Sequence, residues 1–250
     1  MNTPHKVLPV SPTLVRKYRR WHRLVGLSAI FPVVILVLTG MPLEFTDRLK
    51  LGSTGVEASW IHRQYGIEAP GTSRVSDDTW QTGEFIFAPP AGRVIRVSGD
   101  LRGALRMQGV TVVLLSDELI LVPDEAGVPV ERSPVPAPTA LGVTPDTDLI
   151  LDTAEGLLIS SDLGASWHPA DLLRLSVTWQ PLSAAATPPR VAQRYGAAHV
   201  SLERFLLDLH SGRFFGTAGI VIMNLAGILM LVLVLTGFVV WWRSSRSQGP

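Results

Sequence analysis

Two long apolar segments without charge are the feature that most limits how this chain can fold. Residues 24–43 and residues 214–242 form runs of twenty and twenty-nine residues that contain no Asp, Glu, Lys or Arg. About 20 apolar residues suffice for a helix to cross a hydrocarbon layer of roughly 30 Å. The middle of the chain is only modestly hydrophobic and could not bury two such helices in a core. The sequence therefore predicts two membrane-spanning helices, one near each end.

The first apolar segment could instead belong to a secretory signal peptide, since a basic stretch precedes it. Signal peptides have an apolar region of about 7 to 15 residues that ends at a small-residue cleavage site. This segment is longer, and it ends in Thr39-Gly40-Met41-Pro42-Leu43. A retained helix is the better interpretation.

The charges that flank the two segments predict how the chain is oriented. Basic residues precede the first segment and follow the second: Arg16, Lys17, Arg19, Arg20, Arg23, Arg243 and Arg246. Because Lys and Arg accumulate on the cytoplasmic side of a membrane, both termini are expected there. We therefore expect the central part of the chain to lie outside the cytoplasm, which in a bacterium means the periplasm.

The chain is predicted to divide into five parts. These are a cytoplasmic tail (1–12), a first transmembrane helix (13–48), a periplasmic β-rich domain (49–195), an interfacial and second transmembrane helix (196–243) and a second cytoplasmic tail (244–250). The Ala- and Pro-rich stretch 182–194 resembles a linker. Residues 200–209 have apolar side chains at a helical period and predict the interfacial helix.

Short apolar runs, separated by Gly, Pro and Asp, predict a β-rich central domain. The candidate strands are 84–88, 93–98, 104–107, 111–115, 119–123, 148–152 and 157–160. The segments that begin at Thr111 and Asp148 both predict a β-hairpin and lie about 38 residues apart, a spacing near that of propeller blades. The second continues into Ser161–Trp167, which resembles the Asp-box turn of sialidase-like propellers. The fold class expected is a helical membrane hairpin plus a β-rich domain with hairpin or propeller-blade-like repeats.

Composition excludes several function classes. The absence of cysteine excludes disulfides, thiolate catalysis, iron–sulfur clusters and covalently attached c-type haem. A net charge of +1, with no basic stripe outside the membrane flanks, argues against nucleic acid as a partner. The central domain contains no hydrolase, metalloprotease or phosphate-loop motif, so no catalytic residues are predicted. Its tryptophans, Trp60, Trp80, Trp167 and Trp179, are expected in the core.

Two histidines are placed where a helix meets the membrane surface. His22 lies at the inner end of the first helix with Gly26 one turn later, and His210 lies at the outer end of the second with Gly212 and Gly216 after it. Haem b in a helical bundle needs neutral imidazole ligands and small neighbouring residues that let the macrocycle approach. The same histidines could also be interfacial polar side chains among lipid headgroups. Spacing alone does not decide between these interpretations.

Small and polar residues inside the helices have structural interpretations. Thr39-Gly40 and Thr236-Gly237 are expected to let helices pack closely, with each threonine hydroxyl bonded to its own backbone. The pair Gly212 and Gly216 could equally be a helix contact. Asn224 is expected to form a hydrogen bond across a helix interface, or to a haem edge.

The two ends of the chain resemble the PepSY-associated transmembrane helix family of bacterial inner membranes, which includes siderophore-iron reductases. The matching residues are Arg19, His22, Arg23, Gly26, Thr39 and Gly40 at one end, and Leu209, His210, Gly212, Gly216, Gly227, Thr236, Gly237, Trp242 and Arg243 at the other. The resemblance implies b-type haem and single-electron transfer, with His22 and His210 as axial metal ligands. The middle of the chain shows no PepSY module, and larger members of the family carry two such helix pairs.

Geometry limits how these histidines could hold iron. His22 and His210 are expected at opposite membrane faces, on the order of 30 Å apart, so they cannot bind one iron. A second ligand would have to come from another polypeptide or from a loop histidine such as His62. A homodimer, arranged as a four-helix bundle with two haems, or a larger membrane complex would supply it. The donor and the acceptor of electrons are not identifiable from the sequence.

Two other functions are compatible with the sequence. In one, the helices only anchor a periplasmic β domain that acts as an accessory or assembly subunit without a cofactor. In the other, which rests on the family name alone, the chain regulates proteolysis in the cell envelope. A haem spectrum separates the first hypothesis from both alternatives.

Overall fold

A computed structural model describes residues 12–88, 92–125, 128, 130–171 and 176–246. The chain forms two units. Residues 1–54 and 201–250 make up the helical unit, and residues 55–200 make up the β unit. The helices, in chain order, are α1 (Pro12–Glu44), α2 (Thr46–Leu49), α3 (Ser59–Gln64), α4 (Pro189–His199), α5 (Leu202–Ser211) and α6 (Gly216–Arg246).

The helical unit contains both apolar segments. The stretches Arg20–Glu44 and Arg213–Val239 are long and apolar enough to cross a membrane. Only 17% and 11% of the residues in their most apolar parts are buried within the chain. A core helix of a soluble protein would be mostly covered, whereas these helices expose large apolar side chains such as Phe31 and Val234. The structure thus agrees with the prediction of two membrane helices.

Helices α1 and α6 pack against each other through small residues. Ala29 and Pro32 of α1 are buried, as are Gly219 and Ala226 of α6. Small side chains let two helices approach closely in lipid, where packing rather than water exclusion holds them together. Helix α1 continues through Pro32 without interruption.

The β unit consists of antiparallel sheets with mostly neighbouring connections. The strands are β1 (Thr72–Ser76), β2 (Thr79–Thr82), β3 (Phe85–Ala88), β4 (Arg93–Arg96), β5 (Leu101–Met107), β6 (Val110–Leu115), β7 (Glu118–Pro123), β8 (Glu131–Pro134), β9 (Pro138–Val143), β10 (Leu149–Thr153), β11 (Gly156–Ser160), β12 (His168–Ala170), β13 (Thr178–Trp179) and β14 (Ser183–Ala186). Their orders are β14-β1-β2-β3-β4, β5-β6-β7-β8 and β12-β11-β10-β9-β13. The β-rich prediction is confirmed, whereas the propeller-like repetition stays a prediction.

The core of the β unit comes from strands that the apolar runs predicted. One cluster includes Ile86, Leu101, Val113 and Ile120, and a second includes Leu114, Leu119, Leu141, Leu149 and Leu151. Every residue of β6 after Val110 is buried. A strand covered on both faces loses the alternating pattern and reads as a continuous apolar run, which is why it was found from sequence.

Both predicted hairpins are present. Strand β6 pairs with β7, and β10 pairs with β11. After β11, the Asp162 carboxylate accepts hydrogen bonds from the Ser166 backbone N–H at 2.8 Å and from the Ser166 and Ser160 hydroxyls. These bonds, with those of Ser166 first in importance, lower the pKa of Asp162 from 3.8 to about 2. Gly164 follows at a φ of +92°, so Asp and Gly shape this turn, which is the segment that resembles an Asp-box turn in sequence.

Two predictions about the β unit were wrong. The supposed linker 182–194 contains β14, which pairs with β1, and the start of α4. Strand β14 was not predicted because its Ser and Ala residues give no apolar run, and an edge strand of this composition buries little apolar surface. Trp80 and Trp167 pack on the core as expected, but Trp60 and Trp179 are exposed by 56% and 39%.

Candidate cofactor site in the helical unit

Helix α5 places His210 in its last turn. The Ser201 hydroxyl caps the helix by accepting a hydrogen bond from the Arg204 backbone N–H at 3.2 Å. The helix ends at Gly212, which adopts a left-handed conformation with a φ of 79°. Glycine takes this conformation without steric cost and is the commonest residue after a helix end. The helical period predicted for residues 200–209 is therefore confirmed, and its end fixes the position of His210.

A break in the chain joins α5 to α6. A single 3₁₀ turn, Arg213–Phe215, follows Gly212, and Gly216 has a φ of 68° and a ψ of −156°, a region essentially restricted to glycine. Gly212 and Gly216 therefore do not share a helix face, and the interpretation as a helix-contact motif was wrong. Gly212 instead packs against the backbone of Gly219, and a Cβ on either glycine would collide with the other's carbonyl group.

The imidazole of His210 is held by a threonine from the other end of the chain. Its Nδ1 lies 2.9 Å from the Thr39 Oγ1, and the Thr39 hydroxyl donates to the Ile35 carbonyl oxygen at 2.7 Å. A hydroxyl has one hydrogen and a carbonyl can only accept, so the hydrogen between Thr39 and His210 belongs to the histidine. In that neutral tautomer Nδ1 carries the proton, and Nε2 keeps a free lone pair.

Glycine makes room for this ring. A Cβ at Gly40 would lie 3.3 Å from the His210 Cε1 and 3.6 Å from its Nδ1. Thr39 thus accepts a hydrogen bond from the imidazole of His210, and Gly40 lets the ring approach α1. The expected bond from a threonine hydroxyl to its own helix backbone is confirmed for Thr39 and Thr236.

His22 has a different environment. Its side chain is exposed, and a Cβ at Gly26, one turn later, would find no atom within 4 Å. His22 lies seven residues, or about two turns, before the buried Ala29. The seventeen residues from His22 to Thr39 correspond to about 26 Å of helix. The structure therefore does not bring His22 and His210 together.

The other described histidines have structural surroundings. His62 lies on α3, not in a loop, and is only 5% exposed. Its Nε2 donates to the Val56 carbonyl oxygen at 2.6 Å, and its Nδ1 edge lies against Gly196. His199 donates from Nδ1 to the Tyr195 carbonyl oxygen at 2.8 Å, whereas His168 is exposed on β12. His62 is thus a packed core residue rather than a free ligand.

The donor set limits what could bind here. Among the described residues, no group of three or more His, Asp or Glu side chains could hold a metal ion, and the chain has no cysteine. A single imidazole with a free Nε2 fits a metal that arrives with its other ligands, as iron does in a macrocycle. The partner of His210, Thr39, was missed from sequence because 171 residues separate them.

Asn224 was expected to form a hydrogen bond across a helix interface or to a haem edge. Its side chain is exposed on α6, and no hydrogen bond joins it to another described residue of the chain. The described residues therefore form no such bond within one chain, and a bond to a second chain or to a haem edge stays a prediction.

Comparison with known families identifies the chain. The family described as the PepSY-associated TM region matches residues 6–244, almost the whole chain, and the chain belongs to that family. The match extends across the β unit, which carried no resemblance in the sequence. Comparisons with curated proteins and with solved structures gave no match. Membership and two apolar helices together describe a membrane protein.

Proposed function

We propose that this member of the PepSY-associated family is a b-type haem protein of a bacterial inner membrane that passes single electrons across the bilayer. The observation that carries the proposal is the hydrogen bond between His210 and Thr39. Metal-binding histidines characteristically donate their second ring N–H to a fixed acceptor, which sets the tautomer and the orientation of the ring. Thr39 meets this requirement for the imidazole of His210.

His210 and His22 would hold haem, with Gly26, Gly40 and Gly216 as small neighbours. Haem b, when bound, supplies an iron that takes up and releases one electron. The Thr39 hydroxyl keeps the Nδ1 proton of His210 in place, so Nε2 stays available. Gly26 and Gly216 have no atom within 4 Å of their Cβ positions, whereas the space beside Gly212 is filled by Gly219.

The surroundings would serve electron transfer in two ways. The apolar side chains exposed on α1 and α6 would face lipid, and they would keep water away from the helical unit. The basic flanks favour cytoplasmic termini, which leaves the β unit in the periplasm and His210 near the periplasmic surface. An electron leaving there would reach a periplasmic acceptor, such as the iron of a ferric siderophore.

Two components must come from outside the chain. About 26 Å of helix separates His22 from Thr39, the partner of His210, and His62 is hydrogen-bonded to Val56, so a second axial ligand would come from another polypeptide. The chain has no flavin or nicotinamide motif, so the reductant would be a partner protein or a quinol. A homodimer or a larger membrane complex is therefore part of the proposal.

Haem content of the purified protein tests the proposal. Full-length protein from haem-replete cells is expected to give a b-type pyridine haemochrome spectrum. His210→Ala and His22→Ala should each lower the Soret absorbance per protein. His168→Ala, which changes an exposed histidine of the β unit, is the matched control and should leave it unchanged.

A second experiment tests the role of Thr39. Thr39→Val removes the acceptor for His210 Nδ1 at nearly constant volume, and loss of such a partner typically weakens metal affinity about 10- to 100-fold. Thr39→Ser keeps a hydroxyl and should retain most of the affinity in a haem titration. Equal affinity of the valine and serine variants would refute this role. A colourless wild-type protein would refute haem binding and leave a membrane anchor for the β unit as the function.

A further inference from the structure

Asn224 presents a polar side chain to the middle of the bilayer. It lies eight residues after the start of α6, about 12 Å along the helix, in a hydrocarbon layer roughly 30 Å thick. The side chain is exposed and no described residue of the chain is hydrogen-bonded to it. Lipid tails offer neither donor nor acceptor, so an amide at this depth normally finds a partner.

The partner cannot be α1. Asn224 is two residues, or about 200° around the helix, from Ala226, which is buried against α1. The face of α6 that contains Ala226 also carries other buried or half-buried residues, namely Gly219, Met223, Met230, Leu233 and Gly237. Asn224 belongs to the opposite face of α6.

That opposite face has the spacing of a helix-pairing surface. Its exposed residues, here named the outer face of α6, are Thr217, Val221, Asn224, Ile228, Leu231, Leu235 and Phe238. The steps between them alternate between four and three residues, the heptad spacing that lets two helices stay in contact along their length. Gly227 lies beside this face with open space at its Cβ position, so a second helix could approach closely.

We infer that the outer face of α6 pairs with the same face of a second copy of this chain, in a parallel contact centred on Asn224. Two copies in one membrane share the same orientation, so their α6 helices run parallel about a two-fold axis along the membrane normal. A carboxamide carries both a donor and an acceptor, so two Asn224 side chains satisfy each other across that axis. One polar residue at such a position also sets the register of a pair of parallel helices.

This contact gives the proposed homodimer a specific interface, and the inference does not require that haem is bound. It leaves α1 of each copy on the side of α6 that faces away from the axis. Two His22 side chains are thus not brought together by this contact, in contrast to the four-helix bundle expected from the sequence. Any second ligand for His22 would then come from a further subunit.

Disulfide cross-linking in native membranes tests the interface. The natural chain has no cysteine, so Asn224→Cys and Leu231→Cys introduce single thiols into a clean background. A disulfide requires Cα atoms about 4.4 to 6.8 Å apart, which only the faces in contact would satisfy. Oxidation should give a dimer for both variants. Ile222→Cys has the same depth and is 59% exposed but points away from the outer face, so it should stay monomeric.

Dimerisation can also be measured on protein without introduced cysteines, where a disulfide cannot cause the association. Asn224→Leu should weaken dimerisation by about 5- to 30-fold in lipid nanodiscs or mild detergent, the effect of losing one interhelical hydrogen bond in a membrane. Asn224→Gln keeps the carboxamide and should weaken it less. Cross-linking in colourless protein would support the interface while the haem proposal fails. Equal cross-linking at residues 222 and 224, or unchanged dimerisation of Asn224→Leu, would overturn the proposed α6 interface.

Discussion

Gly196→Ala should destabilise the β unit, although the same substitution in most helices is favourable. Gly196 lies inside α4, where replacing glycine by alanine usually stabilises by about 0.5–1 kcal/mol. Here a Cβ would collide with the imidazole of His62, which is only 5% exposed. The ring would have to move, and its 2.6 Å hydrogen bond to the Val56 carbonyl oxygen would be lost or weakened.

The size of the effect follows from these opposing terms. Leaving a buried polar group unsatisfied costs about 1–3 kcal/mol, and overpacking a core costs about 1–3 kcal/mol. After the helix-propensity gain is subtracted, the free energy of unfolding should fall by about 1–5 kcal/mol. For a unit of this size that lowers Tm by about 3–15 °C. Thermal unfolding of the full chain in detergent, followed by tryptophan near-ultraviolet circular dichroism, measures it.

Controls identify the collision as the cause. Gly71→Ala adds the same methyl group where no atom lies within 4 Å, so its effect should stay within about 0.5 kcal/mol. In a His62→Ala background, Gly196→Ala should no longer be harmful and should stabilise by up to about 1 kcal/mol. The reasoning is refuted if the substitution costs the same in both backgrounds. His62→Ala should also leave any haem spectrum unchanged, because His62 is a structural residue.

Further predictions concern the Asp162 turn, the Gly219 contact and Tyr195. The pKa of Asp162 is lowered from 3.8 to about 2, so its carboxylate stabilises the turn above about pH 4 and that contribution is lost as pH falls toward 2. Unfolding of Asp162→Asn should therefore depend less on pH across this window than unfolding of the wild type, and equal slopes would contradict the assignment. Gly219→Ala should lower stability by about 1–3 kcal/mol, because its methyl group meets the Gly212 backbone, and should weaken haem binding at His210. Gly237→Ala, in the same helix with open space, should be neutral in the same melting and haem-titration assays. Burial and, secondarily, the charge of Glu84 raise the pKa of Tyr195 above 10.0, so part of the phenolate absorbance should appear at lower pH once the protein is unfolded.

Elements that depend on local patterns could be predicted from the sequence. A run of apolar residues long enough to cross a membrane has no other stable place in a chain of this composition, so both spans were recoverable. The strands β6, β7, β10 and β11 were found because buried strands read as apolar runs between turn residues. The Asp162 turn was recognisable because its hydrogen bonds join residues at most four apart.

Elements stabilised by distant partners escaped prediction. Strand β14 is Ser and Ala, and only its pairing with β1, more than one hundred residues earlier, makes it a strand. The break after α5 was not predicted, because Gly-x-x-x-Gly also occurs in packed membrane helices. A glycine break and a continuous packed helix differ only in backbone dihedral angles, which composition does not reveal.

The candidate site shows the same division. Sequence alone predicted that His210 lies near a membrane edge, that Thr39-Gly40 lies near the end of the first apolar segment and that Asn224 is a polar residue in an apolar segment. Only the tertiary structure decided that Thr39 accepts a hydrogen bond from His210, that Gly40 lies beneath its ring and that Asn224 faces away from α1. The physical reason is that helix periodicity sets which residues share a face, whereas the packing of α1 against α5 and α6 decides which faces meet. That packing rests on small residues and a glycine break, whose effect depends on the partner surface and not on their own hydrophobicity.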